Sequence, residues 1–298
     1  MIDFLKRVGW TILDLFAFIL IAGIITVALT YLSSLIPGVD LMEETESFDN
    51  PVALLASFTP LLIGSIVAGY IVHTIIFKRD IRLFGIGRSS LFQDYGLGFV
   101  YGGALVFIGF LILRFLGYLD ILGYNLEYGT IALFLLFFIV QSLFEEITFR
   151  SYLMPALETR FGLWPSLLVS SILFALVHLS NSNVAVLGII NIFLAGLLLG
   201  VLFIRYKNVW MAAGLHCSWN YIQSTVLGFE VSGESMFNMI ETQETGPDLL
   251  TGGAFGFEGS LISVLFLGGL LLYYLRSDTY VRSRLEGMPQ IEQEEILV

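Results

Sequence analysis

Glu145 and Glu146 stand side by side in Phe144-Glu145-Glu146-Ile147-Thr148-Phe149-Arg150, inside a run of apolar residues long enough to lie in a lipid bilayer. Carboxylates at membrane depth are costly and rare, so a pair of them points to function and calls for partners. Glu146 and Arg150 are four residues apart, in the favourable order for a helical ion pair. Glu145 points about 100° away around the helix and aligns with Ser142 and Phe149. Glu146 is therefore expected as the neutralised structural partner of Arg150. Glu145 is left as the free carboxylate, the group suited to act as a general base.

Two more polar clusters lie downstream, Phe174 to His178 and His216 to Asn220, each inside its own apolar segment. Within each cluster the end residues are four apart and share a helix face. The elements that carry them follow from composition. Hydrophobic residues make up 57% of the 298, charged residues 13%, and mean hydropathy is +0.86. Those values place the chain among integral membrane proteins. Apolar runs of spanning length occur at roughly 10–36, 52–77, 95–119, 128–157, 164–181, 184–204, 209–228 and 259–275. The expected fold is thus an all-α integral membrane protein of about eight transmembrane helices, a single polytopic domain over 1–298, with the polar site formed by helices 4–7.

Charge sets the expected direction. Lys6, Arg7, Lys78, Arg79, Arg82, Arg88, Arg160, Arg205, Lys207, Arg276, Arg282 and Arg284 all fall on one side if every run crosses, and that side is then cytoplasmic. The acidic stretches Asp40 to Asp49 and Glu230 to Glu258 fall on the other, without lysine or arginine. Both termini should be cytoplasmic and the home a cell membrane, prokaryotic by the simplicity of the bias. The first run, preceded by Lys6 and Arg7, is too long for a signal peptide and lacks a clear small-residue cleavage site, so it reads as an uncleaved anchor. The net charge of -11 collects in loops and tail, which speaks against a nucleic-acid partner. The Gly-rich stretch Gly246 to Gly259 is expected to be a flexible outer loop. No lipidation or retention signal is read in Glu295-Ile296-Leu297-Val298.

Helical rise brings the polar groups to one depth. Counting from the turn near Glu158 to Leu163, Glu145 and His178 both lie about 20 Å away at 1.5 Å per residue. From the next turn, Arg205 to Asn208, His216 lies about 12 Å and Asn220 about 18 Å away, and Asn191 falls near the same level. Glu145, His178, His216 and Asn220 are therefore able to meet.

The motifs Glu145-Glu146-x-x-x-Arg150, Phe174-x-x-x-His178 and His216-x-x-x-Asn220 resemble, in order, the three motifs of the type II CAAX prenyl endopeptidase and bacteriocin-processing (CPBP, or Abi) intramembrane protease family. The resemblance covers residues 128–228, and Gly196 and Gly200 match its pattern of small residues for close helix approach. It implies an endopeptidase that hydrolyses a peptide bond of a membrane-associated or prenylated peptide or protein. Glu145 would activate the water, His178 would help to hold it, and His216 and Asn220 would stabilise the oxyanion. A metal-free mechanism without cofactor is favoured. Were zinc present, Glu145, His178 and His216 would be its ligands. Sequences of the HExxH, GxGD and GxSG types are absent. Small peptides or membrane proteins rank above prenylated proteins as substrates. Residues 1–120 and 229–298 carry no matching motif and are expected to bear little on substrate identity.

Other readings stay open at this stage. The carboxylates and Arg150 could be a helix-locking network, His178 a packing residue, and His216, Asn220 and Asn191 interhelical glue. The whole could be a non-catalytic bacteriocin-immunity or scaffolding protein, or a transporter, although no paired interrupted helices are seen. The lone Cys217 excludes an internal disulfide and is read as packing. Asp14 and His73 are expected at the interface, Arg114 as a snorkelling residue, and the polar site as a cleft open toward the cytoplasm.

Overall fold

The computed structural model describes residues 2–34, 48–87 and 90–286. Residues 40–47 of the first acidic stretch, Arg88 and the tail Glu295 to Val298 lie outside the described residues. A helix stands at each apolar run: α1 (Ile2–Ser34), α2 (Pro51–Ile76), α3 (Leu91–Phe115), α4 (Tyr128–Phe161), α5 (Leu163–Ser180), α6 (Val186–Tyr206), α7 (210–226) and α8 (Leu261–Ser277). A short α9 (Thr279–Glu286) follows α8 after a 74° bend. The chain is an all-α, multi-pass membrane protein.

Length and composition alone do not confirm the count of eight spans. Among the described residues, α1 to α6 are long and apolar enough to cross a bilayer, and α8 with α9 makes a seventh if the bent pair is one span. Helix α7 falls short, with 12 α-helical residues and a five-residue π-helical end. Its residues Met211 to Tyr221 are all buried within the protein. A helix enclosed by other helices need not match the thickness of lipid.

Local chemistry explains several ends and irregularities. Asn50 caps α2 through Oδ1, which accepts from the backbone N–H groups of Val52 and Ala53, and Pro51 starts the helix. Ser260 caps α8 in the same way, accepting from Ser263 N at 3.0 Å. Helix α4 widens to a π-helix over Ile147–Leu153 just before Pro155. Proline has no N–H to give the carbonyl four residues earlier, so regular bonding cannot run through that turn. A second π-helical turn, Ile222–Val226, follows Asn220 in α7.

The basic residues gather at one end of the bundle. Arg7 Nη1 donates to Arg160 O at 3.0 Å, Arg284 pairs with Glu158 at 3.1 Å, and Arg205 pairs with Asp278 at 2.6 Å. Asp14, expected at the interface, is instead fully buried between Arg79 and Arg160, with Tyr152 Oη donating to it at 2.6 Å. His73 is likewise buried, its Nε2 3.0 Å from Asp80 O. A carboxylate this deep is tolerable because two guanidinium groups and a hydroxyl replace its water. Arg114 behaves as expected, half exposed and donating to Leu119 O at 3.1 Å.

The opposite, acidic end holds a cap rather than a loose loop. Strands β1 (Leu119–Tyr124) and β2 (Ile240–Glu244) pair antiparallel, with Leu119 opposite Glu244. The Gly-rich stretch, read as flexible, is packed: Phe255 and Phe257 are buried in notches over Gly188 and Gly109. A Cβ on Gly188 would lie 2.3 Å from the Phe255 ring, and one on Gly109 2.2 Å from the Phe257 ring. Glycine is therefore required to seat the two aromatics that anchor the cap.

Helices α3 and α7 cross backbone to backbone. A Cβ on Gly98 would lie 2.2 Å from Met211 O, one on Gly102 2.3 Å from Leu215 O, and one on Gly214 2.1 Å from Tyr95 O. Between helices in lipid no hydrophobic drive acts, and close approach of small residues supplies the packing. Helix propensity alone would favour Gly214→Ala by about 1 kcal/mol. The contact predicts the reverse, a net loss from overpacking of about 1–3 kcal/mol. Thermal unfolding in detergent checks this, since an unchanged or raised transition would mean that the helices are not in such contact.

Candidate active site

A cavity of about 540 Å³ lies among α2, α4, α5, α6 and α7 and is covered by the cap. Its size suits a small ligand or a stretch of peptide. Glu145, His178, His216 and Asn220 all line it, so the structure brings the four residues expected at the site together. Phe48, Asn181, Ser232, Glu234 and Glu258 line it from the acidic end. Helix α5 stops at Ser180, level with the site, and residues of the cap line the space beyond it.

Glu146 and Arg150 are behind the cavity wall, with side chains 0% and 1% exposed. Arg150 Nη1 donates to Glu146 Oε1 at 2.9 Å, as the spacing predicted. The same oxygen lies 2.9 Å from His216 Nδ1, a link across 70 residues that no local spacing foretells. A carboxylate oxygen paired with a guanidinium only accepts, so Nδ1 carries the hydrogen and Nε2 is left toward the cavity. Arg150 Nη2 also donates to Gly196 O at 3.3 Å. Gly196 and Gly200 face α5, where Cβ atoms would lie 3.1 Å from Ser171 and 2.5 Å from Leu167.

Glu145 faces the cavity. Gln141 Nε2 donates to its Oε1, and its Oε2 has no hydrogen-bond partner and stands 3.8 Å from His216 Nε2. Gln141 Oε1 in turn accepts from Asn220 Nδ2 at 3.2 Å. A chain of amides thus runs from α7 through α4 to the carboxylate. Ser142, which shares the helix face of Glu145, donates its Oγ hydrogen to Ile139 O. Gln141, one turn before Glu145, is the partner; a lone amide in an otherwise apolar run was the signal for it.

Phe174 joins the second motif to the other two. Its ring lies 4.3 Å from the Arg150 guanidinium carbon, 6.0 Å from the His216 ring and 4.8 Å from the His178 ring. Cation–π contact with a desolvated arginine is worth about 2 kcal/mol. His178 Nδ1 lies 2.7 Å from Phe174 O, which fixes the ring at the end of α5. Asn191, read as glue, lines the cavity instead, 1% exposed and with Oδ1 lacking a partner. Cys217 is buried packing, as expected. Glu258 and the cap were not foreseen, because their approach to the site depends on the chain returning over it.

Zinc on Glu145, His178 and His216 does not fit this arrangement. Nδ1 is engaged in both histidines, which leaves Nε2 free to ligate, but no group of three or more His, Cys, Asp or Glu is gathered closely enough for one ion among the described residues. No step below is routed through a metal.

Truncating one member of the buried ion pair leaves the other charge stranded. Arg150→Ala is expected to destabilise the protein by about 3–5 kcal/mol, and Glu146→Gln with Arg150→Met together by less than Arg150→Ala alone. Unfolding in detergent for the three proteins measures both, and equal losses would show that lost packing rather than stranded charge is at issue.

No curated protein matches the chain. Residues 127–222, the segment that holds all three motifs, match the family model described as Type II CAAX prenyl endopeptidase Rce1-like. It is the family to which the three motifs pointed, and over residues 127–222 the chain is similar to it.

Proposed function

We propose that the protein is an intramembrane endopeptidase in which Glu145 activates water, with residues 128–228 as the catalytic core. One observation carries the reading: Glu145 lines a cavity together with His178, His216 and Asn220, with one carboxylate oxygen held by Gln141 and the other unpartnered. Water attacks the scissile carbonyl carbon and gives a proton to Glu145 Oε2. The carbonyl oxygen becomes an oxyanion, stabilised by Asn220 and by His216 once Nε2 as well as Nδ1 carries a proton. When the C–N bond breaks, Glu145 returns the proton to the leaving amine, so that the carboxylate is regenerated. His178 helps to hold the water.

The Glu146–Arg150 pair supports this chemistry without touching substrate. By anchoring His216 Nδ1 it leaves Nε2 turned toward Glu145. The substrate is a peptide or protein at the membrane, and the protein sits in a cell membrane with its basic end, and hence both termini, on the cytoplasmic side.

Glu145→Gln keeps the shape and the Gln141 neighbour but removes the base. In protein shown to be folded, it is expected to lower the rate of peptide cleavage by about 10²–10⁴-fold. Incorporation of heavy oxygen from labelled water into the product carboxylate, present in the native protein and lost in the variant, measures this. Undiminished labelling in Glu145→Gln would rule out Glu145 as base; cleavage absent from the native protein across prenylated and unprenylated peptides would favour an immunity or scaffolding role.

A further inference from the structure

The cavity carries three carboxylates, Glu145, Glu234 and Glu258, and no lysine or arginine. Arg150 is the guanidinium nearest in the motifs, but it is walled off and engaged by Glu146. The whole segment between Lys207 and Arg276 lacks lysine and arginine, while it holds Glu230, Glu234, Glu241, Glu244, Asp248 and Glu258. An acidic face by itself attracts cations only weakly and through salt. Inside the cavity the situation differs.

Glu258 is 6% exposed, at the end of the cap just ahead of α8 and outside the candidate spans. Its Oε2 accepts from Ser232 Oγ at 2.7 Å, and Ser232 is held at φ 51° in the tight turn Val231 to Glu234. Burial pushes the Glu258 carboxyl up, and the nearby His178 and His216 oppose that push while Glu145 adds to it. A carboxylate in such a place is without a permanent cation to offset its desolvation. Asn191, on α6, is 1% exposed, lines the same cavity and has no donor to satisfy its Oδ1. Both groups call for N–H donors, and one of them calls for positive charge.

We propose that Glu258 and Asn191 form a subsite that receives a cationic, N–H-donating group of the substrate, a Lys or Arg side chain or a free amino terminus, presented from the acidic end of the bundle. The proposal rests on the reading of the cavity as a peptide site. It assigns substrate selection to the cap, the part of the chain in which no motif was found. The subsite offers nothing comparable to a free C-terminal carboxylate, whose charge Glu145, Glu234 and Glu258 would repel.

Binding to the full-length Glu145→Gln protein in nanodiscs separates this from hydrolysis. The probes are three fluorescent peptides of one sequence: an N-acetylated form with an internal lysine, the same with norleucine, and the norleucine form with a free amino terminus. The lysine or the free-amine peptide is expected to bind at least tenfold tighter than the acetylated norleucine peptide, and the one that does identifies the source of the cation. Glu258→Gln is expected to erase the preference and Asn191→Leu to reduce it, while the exposed Glu241→Gln leaves it in place. About 1 M salt should preserve most of it, since buried pairs are screened less than surface ones. Equal binding of all three peptides overturns the proposal without requiring any Glu258 variant to fold. A preference that survives Glu258→Gln, or is abolished equally by Glu241→Gln or by salt, overturns it too, because surface charge would then be the cause. Cleavage of peptides by the native protein without the preference would leave the hydrolase reading standing and remove the subsite; the preference without cleavage would do the opposite.

Discussion

The oxygen Glu146 Oε1 is the point on which the architecture turns. It accepts from Arg150 on its own helix and from His216 on α7, while Arg150 reaches on to the backbone of α6 at Gly196. Three helices are thereby held by one charge. A fully buried ion pair is not a strong source of net stability, because desolvation offsets most of the attraction. Its value lies in the alternatives it forbids: any rotation of α4 or α7 that broke the contact would strand a charge where nothing else can meet it.

That constraint needs helices to approach closely, and the chain meets the need with small residues rather than with more apolar area. In lipid, leucine against leucine gains little over leucine against acyl chain. Gly98, Gly102 and Gly214 let α3 and α7 touch through their backbones, and Gly196 brings α6 against Ser171 of α5. The π-helical turn in α4 begins directly after Glu146, and that in α7 begins two residues after Asn220. Such turns shift the register of the residues that follow, which is a recurrent feature of functional sites in helices. The cap is attached by the same logic, with two phenylalanine rings seated over Gly188 and Gly109.

The division of labour between the two adjacent glutamates follows. One is spent on position and is sealed from the cavity. The other keeps an oxygen free, with an amide relay from Asn220 through Gln141 on its far side. Neighbours in sequence point about 100° apart on a helix, so two chemically identical side chains meet different surroundings. Holding a polar group ready in a dry, shaped site is what an oxyanion-forming reaction requires of a protein.

Much of this was legible in the sequence by itself. Spanning segments were readable because lipid demands about 20 apolar residues, and the Glu146–Arg150 pair because helical neighbours recur every four residues. The shared depth of Glu145, His178, His216 and Asn220 followed from helical rise and from turns marked by charge. Those are local rules, and they held. What only the tertiary structure decided is non-local: the bond from Glu146 to His216, the burial of Asp14 between two arginines, the seventeen-residue brevity of α7 inside the bundle, and the folding of the Gly-rich segment over the cavity. A stretch poor in hydrophobic period reads as a loop whether it trails in water or is pinned by two aromatics. Which of these occurs depends on glycine notches in α3 and α6, more than sixty residues away in sequence, and such a partnership leaves no periodic trace in the segment itself.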